Sequence, residues 1–271
     1  MSTRNGHPHQ VGLNSLQESQ IERSIRDVRH ISDNSQGTLS WDRRLLIARA
    51  AMSTFERTGF VHIPEYAPEL VSVICALQKL AYPEVDSAGV VDISDWCMAQ
   101  WLLLLTRNPN DAGALRGLGQ NWLARSQAVL SRIHRQEGGS SSGSSGRPLS
   151  TNDRTGYTSS EEAREADRAN VEADTRAHTA DYVEARGMLI PAVDFLSRAV
   201  EVSEAGGSLT GDLLSEAAES LMHLGNVTYS HNNEQYFHRA IRYLRRAAQM
   251  PNFRLSLYLQ SYLDDYGRLV D

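Results

Sequence analysis

The chain has 271 residues, 41% hydrophobic and 22% charged, with a formal net charge of -6 and a pI near 5.9. That length supports one or two domains with a substantial core, and the acidic balance carries no basic footprint for nucleic acid or an anionic membrane. The longest apolar run, Trp101 to Leu105, is too short to span a bilayer.

In chain order, residues 1–15 are polar and are expected to be disordered, with no apolar core of a secretory signal. Leu16 to Ile31 has helical periodicity in Ile21, Ile25 and Val28, and the polar cluster Ser32 to Gly37 reads as a turn. Ser40 is placed to cap a helix from Trp41 to Thr58, and Gly59 to stop it. Glu69 to Leu80 is the next apolar helix, with Pro64 and Pro68 before it and Pro83 after. Asp92 or Ser94 can cap a helix from Asp95 to Thr106, and Ala112 to Arg135 reads as one long helix. Cys75 and Cys97 lie in these runs and read as small buried hydrophobes of a reducing compartment, so the expected location is cytoplasmic or nuclear.

Residues 138–159 are rich in glycine and serine and read as an exposed, disordered linker between a helical part at 16–137 and another at 160–271. Ser159 and Glu162 resemble a capping box ahead of a helix from Glu161 to Arg186. Pro191 suits the first turn of a helix from Ala192 to Ala205. Leu213 to Tyr229, Tyr236 to Gln249 and Leu255 to Leu269 complete the elements, with a polar loop expected at Ser230 to Gln235. No strand pattern appears, and the fold class is all-α.

Three of these helices share a spacing of small, large and small or apolar residues: Cys97, Trp101, Leu104; Ala192, Leu196, Ala199; and Ala240, Leu244, Ala247. Two others share Leu115, Leu118, Gly119, Trp122 and Leu221, Leu224, Gly225, Thr228. A small residue on a helix face admits a neighbouring backbone, and a large one a turn away fills the adjoining groove. With Pro109 and Pro251 closing two of the runs, the pattern resembles the tetratricopeptide repeat over roughly Asp92 to Asn252. The resemblance implies a right-handed solenoid of helical hairpins, interrupted by the linker, with no cofactor.

It also implies a protein partner, as a peptide or helix, held in a groove lined by 115–123 and 221–229. Several members of the family hold a terminal carboxylate on basic and asparagine side chains at positions matching Arg116, Gln120, Met222 and Asn226. Met222 is a mismatch, so a chaperone-tail clamp is disfavoured. His223, with these, is a candidate contact. Arg239, Arg242 and Arg246 share one helix face and could hold an acidic partner segment, or pair with carboxylates such as Glu216, Glu219 or Asp264.

The histidines show no spacing for a metal site, and no phosphate loop, dinucleotide fingerprint or nucleophile elbow is present. The expectation is therefore a non-enzymatic scaffold. The alternative is a helical enzyme or accessory subunit of a biosynthetic pathway, with His223, Tyr229, His238 and Asp264 as acid/base groups.

Overall fold

The computed structural model describes residues 14–33, 37, 39–84, 87–140 and 159–270. The N-terminal stretch, part of the turn at 32–37 and most of the expected linker lie outside them. Ten α-helices and no strand are found among the described residues: α1 (Ser15–Ser32), α2 (Trp41–Thr58), α3 (Ala67–Ala81), α4 (Val91–Arg107), α5 (Ala112–Ser140), α6 (Ser159–Ala177), α7 (Ala180–Ala205), α8 (Gly211–Asn226), α9 (Ser230–Ala248) and α10 (Leu257–Tyr266). The protein is all-α. The helices cluster into two compact units, and the chain passes from one to the other between Ala81 and Tyr82.

In the first unit, α1 opens on a capping box. The Asn14 side chain accepts from the Gln17 N–H at 2.8 Å, and the Gln17 side chain accepts from the Asn14 N–H at 3.0 Å. Ile21, Ile25, Val28 and Ile31 form its buried stripe. At its far end Arg44 of α2 donates twice to the Ile31 carbonyl, at 3.1 and 2.9 Å, which satisfies an end group the helix leaves open. Ser40 caps α2, and Gly59 ends it in the left-handed region at φ 68°, which costs a glycine nothing. Phe55 and Phe60 then pack ring on ring at 4.6 Å. Helix α3 buries Leu70, Val73, Ile74 and Leu77. Cys75 is exposed, contrary to the sequence expectation, because it faces away from that stripe; Cys97 of the second unit is buried as expected.

In the second unit, each helix packs on its neighbour in the chain from α7 to α10, and α5 packs on both α4 and α7. All nine residues of the repeated small-large-small spacing are buried. Gly119 is where α5 meets α7: a Cβ there would stand 2.5 Å from Leu196 Cγ and 3.2 Å from the Leu196 backbone nitrogen. Gly225 is where α8 meets α9, and a Cβ would stand 2.8 Å from Phe237 Cζ. Gly119, inside α5, and Gly225, in the last turn of α8 rather than in mid-helix, are therefore both explained by close approach.

Several boundaries differ from the sequence expectation. Helix α4 starts one turn early at Val91, with neither Asp92 nor Ser94 as its cap, and α5 runs on to Ser140. The expected 161–186 helix breaks at His178 and Thr179. The Thr179 hydroxyl and N–H both donate to the Arg176 carbonyl, closing α6 as α7 begins. Pro191 then lies inside α7 rather than at a helix start. Its ring denies a hydrogen bond to the Gly187 carbonyl one turn back, and Gly187 is exposed to water.

Ser230 to Gln235 is helical, and the connection from α8 is only Val227 to Tyr229. Asp174 of α6 makes that possible by accepting the Ser230 N–H at 2.8 Å, a cap supplied from another helix. This hydrogen bond is the first cause holding the Asp174 carboxyl below its usual range. Arg186 steadies the same corner: it donates to the Val227 carbonyl at 2.6 Å and lies 5.0 Å over the Tyr229 ring. The last expected helix shortens to α10 and a 3-10 turn at Gly267–Leu269, both tied to α9 through Arg245, which donates to the Gly267 and Val270 carbonyls.

Candidate interaction site

Helices α5 and α8 meet through polar side chains. Arg116 grips Glu216 side-on, Nε to Oε2 at 2.8 Å and Nη2 to Oε1 at 2.6 Å. Gln120 donates to the same Oε1 at 3.0 Å. Two turns on from Gln120, the Gln127 amide stands 3.5 Å from His223 Nε2. Three sequence-singled residues, Arg116, Gln120 and His223, therefore lie on this shared face. Glu216 presents its own carboxylate to the Arg116 and Gln120 pair, so those side chains already hold a carboxylate within the chain.

The remaining candidates lie elsewhere. Asn226 is exposed and lines a cavity of about 400 Å3 with Phe237, His238, Ile241 and Tyr262. Two α9 arginines reach α7: Arg239 donates to Ser197 Oγ at 3.1 Å and Arg246 pairs with Glu204 at 2.6 Å, whereas Arg242 is exposed. The partners of Arg239 and Arg246 are thus not the Glu216, Glu219 and Asp264 suggested by the sequence. Helix α9 turns its arginine strip away from α8, because Ala240 and Leu244 take the α8 side. Met222 is a core residue.

The four acid/base candidates each have different neighbours. His223 meets Gln127. Tyr229 meets His178 at 3.3 Å, His238 meets Glu234 at 3.4 Å, and Asp264 accepts from Gln260 at 2.8 Å. Among the described residues no group of three or more His, Cys, Asp or Glu side chains is arranged to hold a metal ion, and no helix is long and apolar enough to cross a membrane.

Sequence reasoning passed over the polar stripe of α8 itself. Asp212, Ser215, Glu216 and Glu219 recur at helical spacing between the buried Leu213, Leu214, Ala217, Ala218 and Leu221. With Phe253, Arg254, Ser256 and Leu259 they line a cavity of about 340 Å3. Ser215 is buried, and its Oγ is enclosed without a hydrogen-bond partner among the described residues. The helical period of these four residues was the available signal; the return of the chain at 253–259 against them had none.

Burial raises the Glu219 pKa, and the neighbouring Glu216 raises it further. Folded Glu219 keeps its proton above 4.5, where the unfolded chain has lost it, so this group weakens the fold as pH rises through that window. Glu219→Gln is therefore expected to raise the melting temperature at pH 7, with the gain fading towards pH 4.5. Trp96, Trp101 and Trp122 all lie in this unit and report its unfolding by fluorescence. A gain equal at both pH values would show that the carboxylate charge is not the cause. His223 works in the opposite sense: burial lowers its pKa, so stability falls on acidification through 6.5, where the unfolded chain takes up the proton first.

Comparison with protein families, with characterised proteins and with solved structures finds no significant match.

Proposed function

We propose that this chain is a non-enzymatic protein-interaction scaffold, organised in its second unit like a tetratricopeptide-type solenoid, with a partner peptide or helix held along α5 and α8. The polar face shared by these two helices carries the reading: Arg116, Gln120 and Gln127 stand opposite Glu216 and His223. Gly119 under Leu196 and Gly225 under Phe237 support it, since such a repeat needs small residues where its helices cross. In this reading α5 and α8 are the first helices of two hairpins, and α7 and α9 are the second. A carboxylate clamp is disfavoured, because Glu216 already engages Arg116 and Gln120. The setting we infer is cytoplasmic or nuclear, where Cys75 and Cys97 stay reduced.

The enzyme alternative has less support. It needs convergent acid and base groups, and His223, Tyr229, His238 and Asp264 have separate neighbours. The scaffold is tested by selecting random peptides displayed on phage against the full-length chain. Enriched peptides are expected to slow amide hydrogen exchange in α5 and α8. Failure to enrich any peptide, or protection confined to other helices, counts against the proposal.

A further inference from the structure

We propose that the pocket between α8 and residues 253–259 receives an arginine or lysine side chain of the partner, an inference that takes the peptide-binding scaffold as its premise and adds the chemistry of what is bound. Three carboxylates, Asp212, Glu216 and Glu219, line one stripe of this pocket. Arg116 and Gln120 engage both oxygens of Glu216. Glu219 has no such compensation among the described residues. Its carboxyl is partly withdrawn from water, and the charge beside it is another carboxylate. A desolvated anion without a partner is costly, and a cation entering from outside would relieve that cost.

Ser215 is the second, independent observation. The residue lines the same pocket, and its Oγ is enclosed there with no hydrogen-bond partner among the described residues. A buried hydroxyl of this kind can accept a hydrogen bond from a guanidinium or ammonium group. The opposite wall is apolar, from Phe253 and Leu259. Gly211 leaves room for the Phe253 ring there, since a Cβ at 211 would stand 2.2 Å from Phe253 Cγ. An apolar wall beside an acidic rim matches a long basic side chain, which buries its methylene stem and keeps its charge at the carboxylates. A bare metal ion would gain nothing from Phe253 and Leu259. The cavity of about 340 Å3 is at the small end for ligand pockets and suits one side chain rather than a whole helix. Arg254 also lines the pocket, is exposed, and forms no ion pair with these carboxylates among the described residues.

The test has two arms on the full-length chain. In the first, the isotope-labelled chain is titrated with Nα-acetyl-argininamide, and with Nα-acetyl-norleucinamide as a neutral control. Amide signals of 212–219 and 253–259 are expected to shift with the arginine probe alone. Glu219→Gln should weaken that binding about tenfold, and Arg254→Ala should leave it at or above wild type. Equal shifts from both probes, or an unchanged affinity in Glu219→Gln, overturn the inference. So does binding seen only in Arg254→Ala, which would make Arg254 the natural occupant.

In the second arm, phage-selected peptides are sequenced. A fixed arginine or lysine, with about tenfold weaker binding to Glu219→Gln, supports the inference. Peptides that bind along α5 and α8 without a fixed basic residue overturn it and leave the scaffold standing. Argininamide binding with no enriched peptide removes the scaffold and keeps the cation pocket. No binding in either arm removes both.

Discussion

A valine at Gly119 is expected to destabilise the Tyr82–Asp271 unit by about 3 kcal/mol, the upper end of what overpacking costs. A Cβ at this position would fall 2.5 Å from Leu196 Cγ, and the Leu196 backbone nitrogen at 3.2 Å limits how far α7 can yield. For a unit of this size the loss corresponds to about 6–12 °C in melting temperature. Leu196→Ala should also be costly, about 2–5 kcal/mol, because Leu196 is fully buried. The two losses should not add. Once Leu196 is trimmed, the new side chain at 119 enters the space it leaves, and the coupling should reach about 1–2 kcal/mol. Strict additivity of Gly119→Val and Leu196→Ala in urea unfolding would mean that α5 and α7 do not cross at this point.

The second large effect is expected at Asn121, a fully buried amide on α5. Its Oδ1 accepts from the Tyr82 hydroxyl at 3.4 Å and from Arg125 Nε at 3.0 Å, and its Nδ2 donates to the Ser94 carbonyl at 3.3 Å. Arg125 in turn reaches Ser94 Oγ and Asp95, and lies over the Trp122 ring at 5.7 Å. Asn121 thus joins the start of α4 to the middle of α5. Burial raises the Tyr82 pKa, so its hydroxyl stays a neutral donor that needs an acceptor. Asn121→Leu keeps the volume and removes the acceptor, leaving three polar groups short of a partner. The expected cost is about 3 kcal/mol. A change below about 0.5 kcal/mol, as at an ordinary surface position, would show that the network does not hold α4 and α5 together.

Much of the fold was legible because its signals are local. Ser40 and Gly59 bound α2 as their chemistry demands, one supplying a hydroxyl acceptor and the other a left-handed turn. The buried triplets around Trp101, Leu196 and Leu244 followed from spacing alone. What was missed depends on partners far along the chain. Ser230 to Gln235 reads as a loop until Asp174 supplies its cap from 56 residues away. Pro191 reads as a helix start until Thr179 opens α7 twelve residues earlier. The candidate site divides the same way. Arg116 and Gln120 were visible as a polar pair on one helix face, but Glu216, which they hold, lies 100 and 96 residues on. The α8 stripe had a readable period, yet only the position of Phe253 and Leu259 turns it into a pocket.

Helices α5 and α7 pack on each other although Ser140 ends one and Ala180 begins the other. Joining two packed helices through an intervening chain has a closure entropy that grows only logarithmically, by about 0.6 kcal/mol for each doubling of a flexible connection. The crossing of Gly119 and Leu196 outweighs several such doublings. One residue added within either helix would turn every later side chain by about 100° and out of its groove.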